Sequence, residues 1–333
     1  MTRRPRLFAE PEPAPPTPQE AAWLEELRAA VDPRRILATV AALPAPRHRP
    51  SDPRRIGAAE RSIVADLRDA GWHAYRRRFS GPPVGWNVEA LRPGVTTATL
   101  ALVAHHDTVA GSGGADDNGS GVAVLLETAR LLAPCRFRRS VLLATVDLEE
   151  TGRFTGAEAL IALAERRTPI AGAIVLESVG FVDHRPGSQR IPAGLGLLYP
   201  QQLRAARANG LAGTWTLLIH RRSSVPLARA MSAGLRAQGG AGAAYSIRDP
   251  VDLPLIGPLL PWTVPTVRHL ARSDHAAFWR RGIPAICVTD TADLRNPHYH
   301  GPGDLPETLD ANRMAEVAVA TAFAIGRLAG RIA

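Results

Sequence analysis

The sequence contains no lysine, and all 40 of its basic residues are arginine. This absence excludes mechanisms that need a lysine amine, such as Schiff-base formation, and the lysine of phosphate-binding loops and kinases. The two cysteines, Cys135 and Cys287, are too few for a disulfide framework or a thiolate zinc cluster. We therefore expect both to be small hydrophobic residues of the core.

Runs in which basic and aromatic residues alternate are also absent, although the formal net charge is +9. The arginine doublets are scattered along the chain rather than collected in one patch. Stacking platforms for nucleic acid need such a combination. We therefore expect no nucleic acid among the partners.

Long apolar runs are missing as well. No run approaches the roughly 20 residues that a membrane-spanning helix needs. Residues 7–20 contain five prolines and three glutamates, where a secretory signal would need an unbroken apolar segment. We therefore predict a disordered tail over residues 1–18, a single catalytic domain over residues 19–333, no membrane partner and a cytoplasmic location.

Short apolar segments alternate with segments of helical periodicity. The predicted strands cover residues 98–105, 140–148, 171–178, 215–220 and 284–290. The predicted helices cover residues 19–43, 52–70, 121–133, 154–166, 225–238 and 311–329. This order predicts the α/β class, as three layers with a mostly parallel central sheet and helices on both faces. Two stretches rich in Pro and Gly, about 183–213 and 249–267, are predicted loop insertions near a site.

Histidines and carboxylates follow several of the predicted strands. Each has an ordinary explanation on its own, as a solvated strand end or as a turn with a helix cap. Together they are expected to converge, because ligands bind beyond the carboxyl ends of the strands in such sheets. Imidazole and carboxylate together suit zinc or a similar divalent ion. The residues concerned are His105, Asp107, Asp116, Asp117, Glu149, Glu150, Glu177 and His300.

Two local spacings indicate how these side chains divide their work. Glu149 and Glu150 are adjacent, so in an extended segment one can coordinate a metal while the other faces the substrate. Asp107 lies two residues after His105, so both project to the same side of an extended segment. The Asp107 carboxylate can therefore accept the imidazole N–H and orient the ring.

Six motifs occur in the order, and at about the spacing, of one enzyme family: HHD, GADDNGSG, DLEETG, VLES, SDHAAF and YHGPGD. Over about residues 50–330 the chain resembles the di-zinc exopeptidases of metallopeptidase family 28. That family includes bacterial aminopeptidases, glutamate carboxypeptidases and the related glutaminyl cyclases. The resemblance implies the zinc-aminopeptidase fold, which is phosphorylase/hydrolase-like, and two Zn2+ ions per chain.

The resemblance also implies a set of metal ligands. One ion would be bound by His105, Asp117 and Glu177, and the other by His300, Asp117 and Glu150. Asp117 would bridge the ions, and a bridging hydroxide would complete the balance of charge. Glu177 stands where many members of the family have aspartate.

Further roles follow from the same resemblance. Glu149 would be the general base, Asp107 would orient His105, and Asp274 and His275 would line the site without binding metal. No direct role is expected for His106 or Asp116.

The resemblance points to an exopeptidase that acts on a peptide or a small amino-acyl substrate, most simply as an aminopeptidase. One alternative is a carboxypeptidase-like hydrolase of a peptide or an N-acyl amino acid, in which Arg153 holds a substrate carboxylate instead of forming a surface ion pair. Another is a glutaminyl-cyclase-like acyltransferase with a single zinc ion. A catalytically inactive interaction domain would be expected to have lost ligands, and none of the matched positions has lost its ligand.

Overall fold

A mixed eight-stranded sheet lies at the centre of the computed structural model, which describes residues 13–81 and 83–332. The strands are β1 (Ala74–Phe79), β2 (Gly85–Arg92), β3 (Thr96–His105), β4 (Arg136–Phe137), β5 (Arg139–Val146), β6 (Ile170–Glu177), β7 (Thr216–His220), β8 (Ala244–Arg248), β9 (Ala285–Thr289) and β10 (Arg331–Ile332). Their order in the sheet is β1-β2-β5-β3-β6-β9-β7-β8, and β4 pairs separately with β10.

The centre of the sheet is parallel, and its two edges differ, because β1 pairs antiparallel with β2 while β8 pairs in parallel with β7. Strands β5, β3, β6 and β9 pair in parallel. Strands β2 and β7 run antiparallel to their neighbours β5 and β9. The five predicted strands are all present, and the predicted α/β class is confirmed. Strands β1, β2 and β8 were not predicted, because β1 carries three consecutive arginines and none of the three contains a long apolar run.

Helices cover both faces of the sheet. They are α1 (Pro18–Ala30), α2 (Pro33–Ala42), α3 (Pro53–Asp69), α4 (Gly121–Leu131), α5 (Thr155–Ala164), α6 (Leu195–Leu198), α7 (Pro200–Ala208), α8 (Val225–Gly239), α9 (Leu260–Thr263), α10 (His275–Arg280) and α11 (Ala311–Ala329). Helices α4, α8 and α11 pack on one face, and α5 and α10 pack on the other. Cys135 and Cys287 are buried without a disulfide bond, as expected.

The helix predicted over residues 19–43 is wrong as a single element, because the chain forms α1 and α2 instead. Pro33 disfavours helical geometry at the residue before it, and Asp32 is accordingly extended, with φ −122° and ψ 102°. The Asp32 carboxylate then caps α2 by accepting the N–H groups of Arg34 and Arg35.

Part of the predicted N-terminal tail, residues 1–12, lies outside the described residues. Within the tail's predicted bounds, Thr17 caps α1, which begins at Pro18. The division into a tail and one domain over residues 19–333 stays a prediction. In the described part of the chain, no helix combines the length and apolar character needed to cross a bilayer.

The parallel centre brings the ends of three strands to one edge. In the register of the sheet, His105 of β3 lies opposite Val146 of β5, and Ala104 lies opposite Leu176 of β6. The residues that follow these positions therefore leave the sheet side by side. This edge carries the candidate site.

Candidate metal centre

Two carboxylates from separate elements face His105 at the end of β3. Nε2 of His105 lies 3.2 Å from Oδ1 of Asp117 and 3.3 Å from Oε2 of Glu177. Asp117 lies in the turn Ala115–Ser120, where its own backbone is not helical (φ −106°, ψ 93°), and Glu177 ends β6. Ligand atoms of the three residues lie within 4.8 Å of one another. We call this trio the first half-site.

A second trio uses the other oxygen of the same aspartate. Nε2 of His300 lies 3.1 Å from Oδ2 of Asp117 and 3.2 Å from Oε2 of Glu150. Their ligand atoms also lie within 4.8 Å of one another, and we call them the second half-site. Asp117 thus faces each half-site with one oxygen.

The polar atoms that these residues direct toward one another are suited to binding a metal ion, because several of them lack hydrogen-bond partners in the described part of the chain. Within the described residues, Nε2 of His105, both carboxylate oxygens of Asp117 and Oε1 of Glu150 are buried without a hydrogen bond. Such unpaired groups cost about 1–3 kcal/mol each. Ligands bound to zinc at about 2.0–2.1 Å in a tetrahedron lie about 3.3 Å apart. The separations of 3.1–3.3 Å in both half-sites match that spacing.

The loop that carries Asp117 is held by Asp304. The Asp304 carboxylate accepts the N–H of Asp116 at 2.8 Å and that of Asp117 at 3.1 Å. Gly113 lies so close to Asp304 that a Cβ there would be 2.2 Å from the Asp304 carbonyl oxygen, so only glycine fits. The Asp117–Asn118 peptide bond is cis. Asp304 is the aspartate of the YHGPGD motif, and sequence reasoning assigned it no role.

Asp116 ties the same loop to two others. Its Oδ1 accepts the N–H of Gly180 at 2.9 Å, and its Oδ2 accepts a hydrogen bond from Asn296 at 3.0 Å. Burial, followed by the charge of Asp116, raises the pKa of Asp290 well above its usual range. No direct role was expected for Asp116, and the structure gives it this supporting one.

The Asp107 carboxylate joins the first strand end to the second. It accepts the N–H groups of Glu149 and Glu150, each at 3.2 Å. Nδ1 of His105 lies 3.2 Å from the Asp107 carbonyl oxygen and 3.5 Å from its carboxylate. The main-chain oxygen is therefore the nearer acceptor for the imidazole, while the carboxylate positions the two glutamates.

Negative charge accumulates around the half-sites. Burial raises the pKa of Glu149 well above its usual range, and burial with the charge of Asp117 raises that of Glu150 to about 7. Burial alone would lower the pKa of His105, but Glu177 and Glu149 raise it well above normal. A cation at this place would relieve the repulsion among the carboxylates. Glu149 itself is only 7% exposed.

The segment Ser273–His275 supports the site from one side. Ser273 donates a hydrogen bond to Oε2 of Glu177 at 2.7 Å. Asp274 is fully buried, and burial raises its pKa to about 8. His275 directs Nε2 to the carbonyl of Leu270 at 2.9 Å, and burial lowers its pKa to about 4, so its ring is neutral at pH 7.

Two residues define the outer side of the site. The ring of Tyr299 stacks on that of His300 with 3.9 Å between centroids, and the His300 side chain is 36% exposed. Arg153 is exposed, and in the described part of the chain its side chain makes neither an ion pair nor a hydrogen bond. The structure therefore does not bring Arg153 into contact with the predicted ligands.

A buried ion network behind the site consists of Glu60, His106, Asp147, Arg49 and Arg76. Glu60 lies on α3, contacts both arginines, and has its Oε1 3.6 Å from Nε2 of His106. Arg49 also donates to Asp147 at 2.7 Å. The network thus anchors His106, which follows the proposed ligand His105, and Asp147, which precedes Glu149 by two positions, to α3. Because two arginines balance its acids, it needs no metal ion. Nothing near His106 in the sequence reveals this role.

A further buried cation lies beneath the turn that carries Asp117. Arg47 is 1% exposed and donates to the carbonyls of His106 at 2.8 Å and Gly114 at 2.7 Å. Burial lowers its pKa to about 10, so it stays charged at neutral pH. Its positive charge therefore helps to balance the carboxylates from inside the protein.

Related proteins share both sequence and fold with this chain. The sequence profile of peptidase family M28 matches residues 87–212. The uncharacterized protein YfbL of Escherichia coli (strain K12) is 34% identical over 207 residues, which are 61% of this chain and 56% of YfbL. The chain therefore spans little more than half the length of that relative.

Two solved structures have the same fold. An aminopeptidase from Aneurinibacillus sp. strain AM-1 aligns with a TM-score of 0.66 and 14% identity, over 91% of this chain and 95% of that one. Porphyromonas gingivalis glutaminyl cyclase aligns with a TM-score of 0.60 and 18% identity, over 90% of this chain and 99% of that one. The profile match covers the segment with His105, Asp117 and Glu177, so this segment of the chain is similar in sequence to peptidase family M28.

Proposed function

We propose that this chain is a zinc-dependent exopeptidase, specifically an aminopeptidase, with one Zn2+ ion in each half-site. The observation that carries the proposal is that the two oxygens of the Asp117 carboxylate face different half-sites. Oδ1 faces His105 and Oδ2 faces His300. Glu177 and Glu150 would complete the two ligand sets. The catalytic unit in this proposal is the predicted domain over residues 19–333.

Glu149 is the proposed general base. When bound, two divalent ions would lower the pKa of a water molecule and polarise the scissile carbonyl. The Glu149 carboxylate lies beside His105 and Glu150 and belongs to neither proposed ligand set, so it is placed to take a proton from that water. It then gives that proton to the leaving amine. Asp107 keeps Glu149 in place through the main-chain hydrogen bond at 3.2 Å.

The charges at the site favour a substrate with a free amino terminus. Glu149 is a carboxyl group that neither half-site uses, and it lies beside His105 and Glu150, where as a carboxylate it can pair with a protonated amine. A substrate carboxylate would need a cation beside the ligands. Arg153, the residue predicted for that task, makes no contact with them.

Metal analysis of the zinc-loaded chain and a peptide panel test this proposal. The panel contains one tripeptide with both ends free, its N-acetylated form, its C-amidated form, and a peptide with N-terminal glutamine. We expect two zinc ions per chain, hydrolysis of the free and amidated peptides from the amino end, and none of the acetylated peptide.

Other outcomes would replace the proposal. One zinc ion with cyclisation of the glutaminyl peptide would indicate the acyltransferase. Cleavage that tolerates an N-acyl group and requires a free carboxylate would indicate the carboxypeptidase-like hydrolase. Absence of both zinc and turnover would refute an enzyme of either kind.

A further inference from the structure

A cavity of about 100 Å3 opens beside Glu177 in the first half-site. Its polar side includes Ser273 and Tyr299, next to the proposed ligands, and the ion pair between Arg272 and Asp293. Side chains of the sheet, among them Leu217 and Ile247, form its apolar wall. We call this cavity the near chamber.

A second cavity, of about 80 Å3, adjoins the near chamber. Both chambers are lined by Leu195, Leu217, Ile247, Thr291 and Leu294. Beyond this shared boundary, the second cavity is lined by Ala206 of α7 and by the aromatic rings of Trp215 and Tyr245. We call it the far chamber.

The register of the sheet gives the distance between the metal centre and the far chamber. Glu177 lies opposite Thr289, Thr289 opposite Leu217, and Leu217 opposite Tyr245. With about 4.8 Å between strands, the boundary at Leu217 is about 10 Å from Glu177, and Tyr245 is about 14 Å away. A leucine side chain held at the metal centre is too short to reach the far chamber.

The far chamber is suited to an apolar group. Two of its polar wall groups are already paired, since Tyr199 donates to the carbonyl of Arg248 at 2.7 Å and Gln189 donates to Thr291 at 2.8 Å. The indole N–H of Trp215 is an exception among these polar wall groups, because it is buried without a hydrogen-bond partner in the described part of the chain. Among the described residues that line it, Arg190 is the one that carries a charge, and it is exposed.

Resting on the proposed aminopeptidase function, we propose that the far chamber extends the substrate side-chain pocket and selects long, unbranched apolar side chains over those of leucine size. A chain that advances about 1.3 Å per carbon, from bonds of about 1.5 Å, needs about eight carbons to pass Leu217. Each methylene that becomes buried raises kcat/KM by up to about fourfold. The pocket therefore discriminates by length.

Chain-length series of aminoacyl p-nitroanilides test the proposal on the zinc-loaded full chain. The two substrates compared carry side chains of four carbons (norleucine) and eight carbons (2-aminodecanoic acid). We expect the longer substrate to have at least a tenfold higher kcat/KM. Ala206→Leu, which fills the far chamber from α7, is expected to lower this long-to-short ratio at least tenfold.

Ala205→Leu is the matched control, because Ala205 is the preceding residue of the same helix and is exposed. It should leave the ratio unchanged. Leu203→Phe, which fills the same chamber from a half-buried position, is the second variant if Ala206→Leu does not fold. A wild-type ratio near or below one would overturn the proposal, and so would equal losses on both substrates in the variants.

Binding separates this proposal from the proposed function. If neither p-nitroanilide is hydrolysed, the aminopeptidase assignment fails, while the chamber is still tested by calorimetry with the hydroxamates of the same two amino acids. The longer hydroxamate should then bind at least tenfold more tightly, and Ala206→Leu should remove the difference. Equal affinities would refute the chamber's role.

Discussion

Replacement of Glu60 by glutamine tests the buried ion network behind the metal centre. Burial alone would raise the pKa of Glu60, but His106 and Arg49 lower it to about 2. An unfolded glutamate has a pKa of about 4.3 to 4.5. The folded state therefore prefers the charged form, and Glu60 stabilises the protein at neutral pH.

The pKa of Glu60 sets the size of this contribution. A difference of about 2.5 pKa units corresponds to roughly 3 kcal/mol. Breaking a buried ion pair by removal of one partner costs a similar amount, about 3–5 kcal/mol. We therefore expect Glu60→Gln to lower the free energy of unfolding by about 3 kcal/mol at pH 6.

The dependence on pH follows from the sign of the shift. Because the folded pKa is the lower one, the stabilisation is fully present above about pH 5 and is lost as the pH falls toward 2. The difference between wild type and variant should therefore shrink to about 2 kcal/mol at pH 3.5. Urea unfolding at both pH values, followed by tryptophan fluorescence, measures it.

Glu25→Gln is the control, because the Glu25 side chain is 67% exposed and pairs with Arg28 on the surface. Its free energy of unfolding should stay within about 0.5 kcal/mol of wild type. A loss below about 1 kcal/mol for Glu60→Gln at pH 6, or a loss that does not shrink in acid, would refute this account of the network.

Variants of the metal centre provide three further tests. Glu149→Ala should retain its metal yet lose nearly all hydrolysis, and wild-type turnover would contradict its role as base. Asp117→Ala should lose both ions together in metal analysis, so an intact pair would refute bridging. In Gly113→Ala the new Cβ would meet the Asp304 carbonyl at 2.2 Å, which should weaken zinc binding about 10- to 100-fold in chelator competition. Gly242→Ala, with open space around it, should bind zinc like wild type.

The class of fold and the residues that meet at the candidate metal centre could be predicted from local sequence patterns. Buried parallel strands leave short apolar runs, and His105, Glu150 and Glu177 each occur at or just beyond the end of one. Strands that run parallel end at a common edge, so local patterns were enough to bring these residues together. Edge strands such as β1 have no such pattern, because the strand is only partly buried and its three consecutive arginines place basic side chains on both faces.

The contacts that hold the candidate centre in place, and the cavities beside it, could not be predicted from the sequence, because they join residues far apart in the chain. The hydrogen bond from the N–H of Asp116 to Asp304 joins residues 188 positions apart, and that from Asn296 to Asp116 joins residues 180 apart. Buried acids look alike in sequence whether they bind a metal or a main-chain N–H, because the difference lies in which atoms surround them. Strand β7, which runs antiparallel to β9, likewise forms part of the wall of the two chambers. The direction of a strand cannot be predicted from a short apolar run.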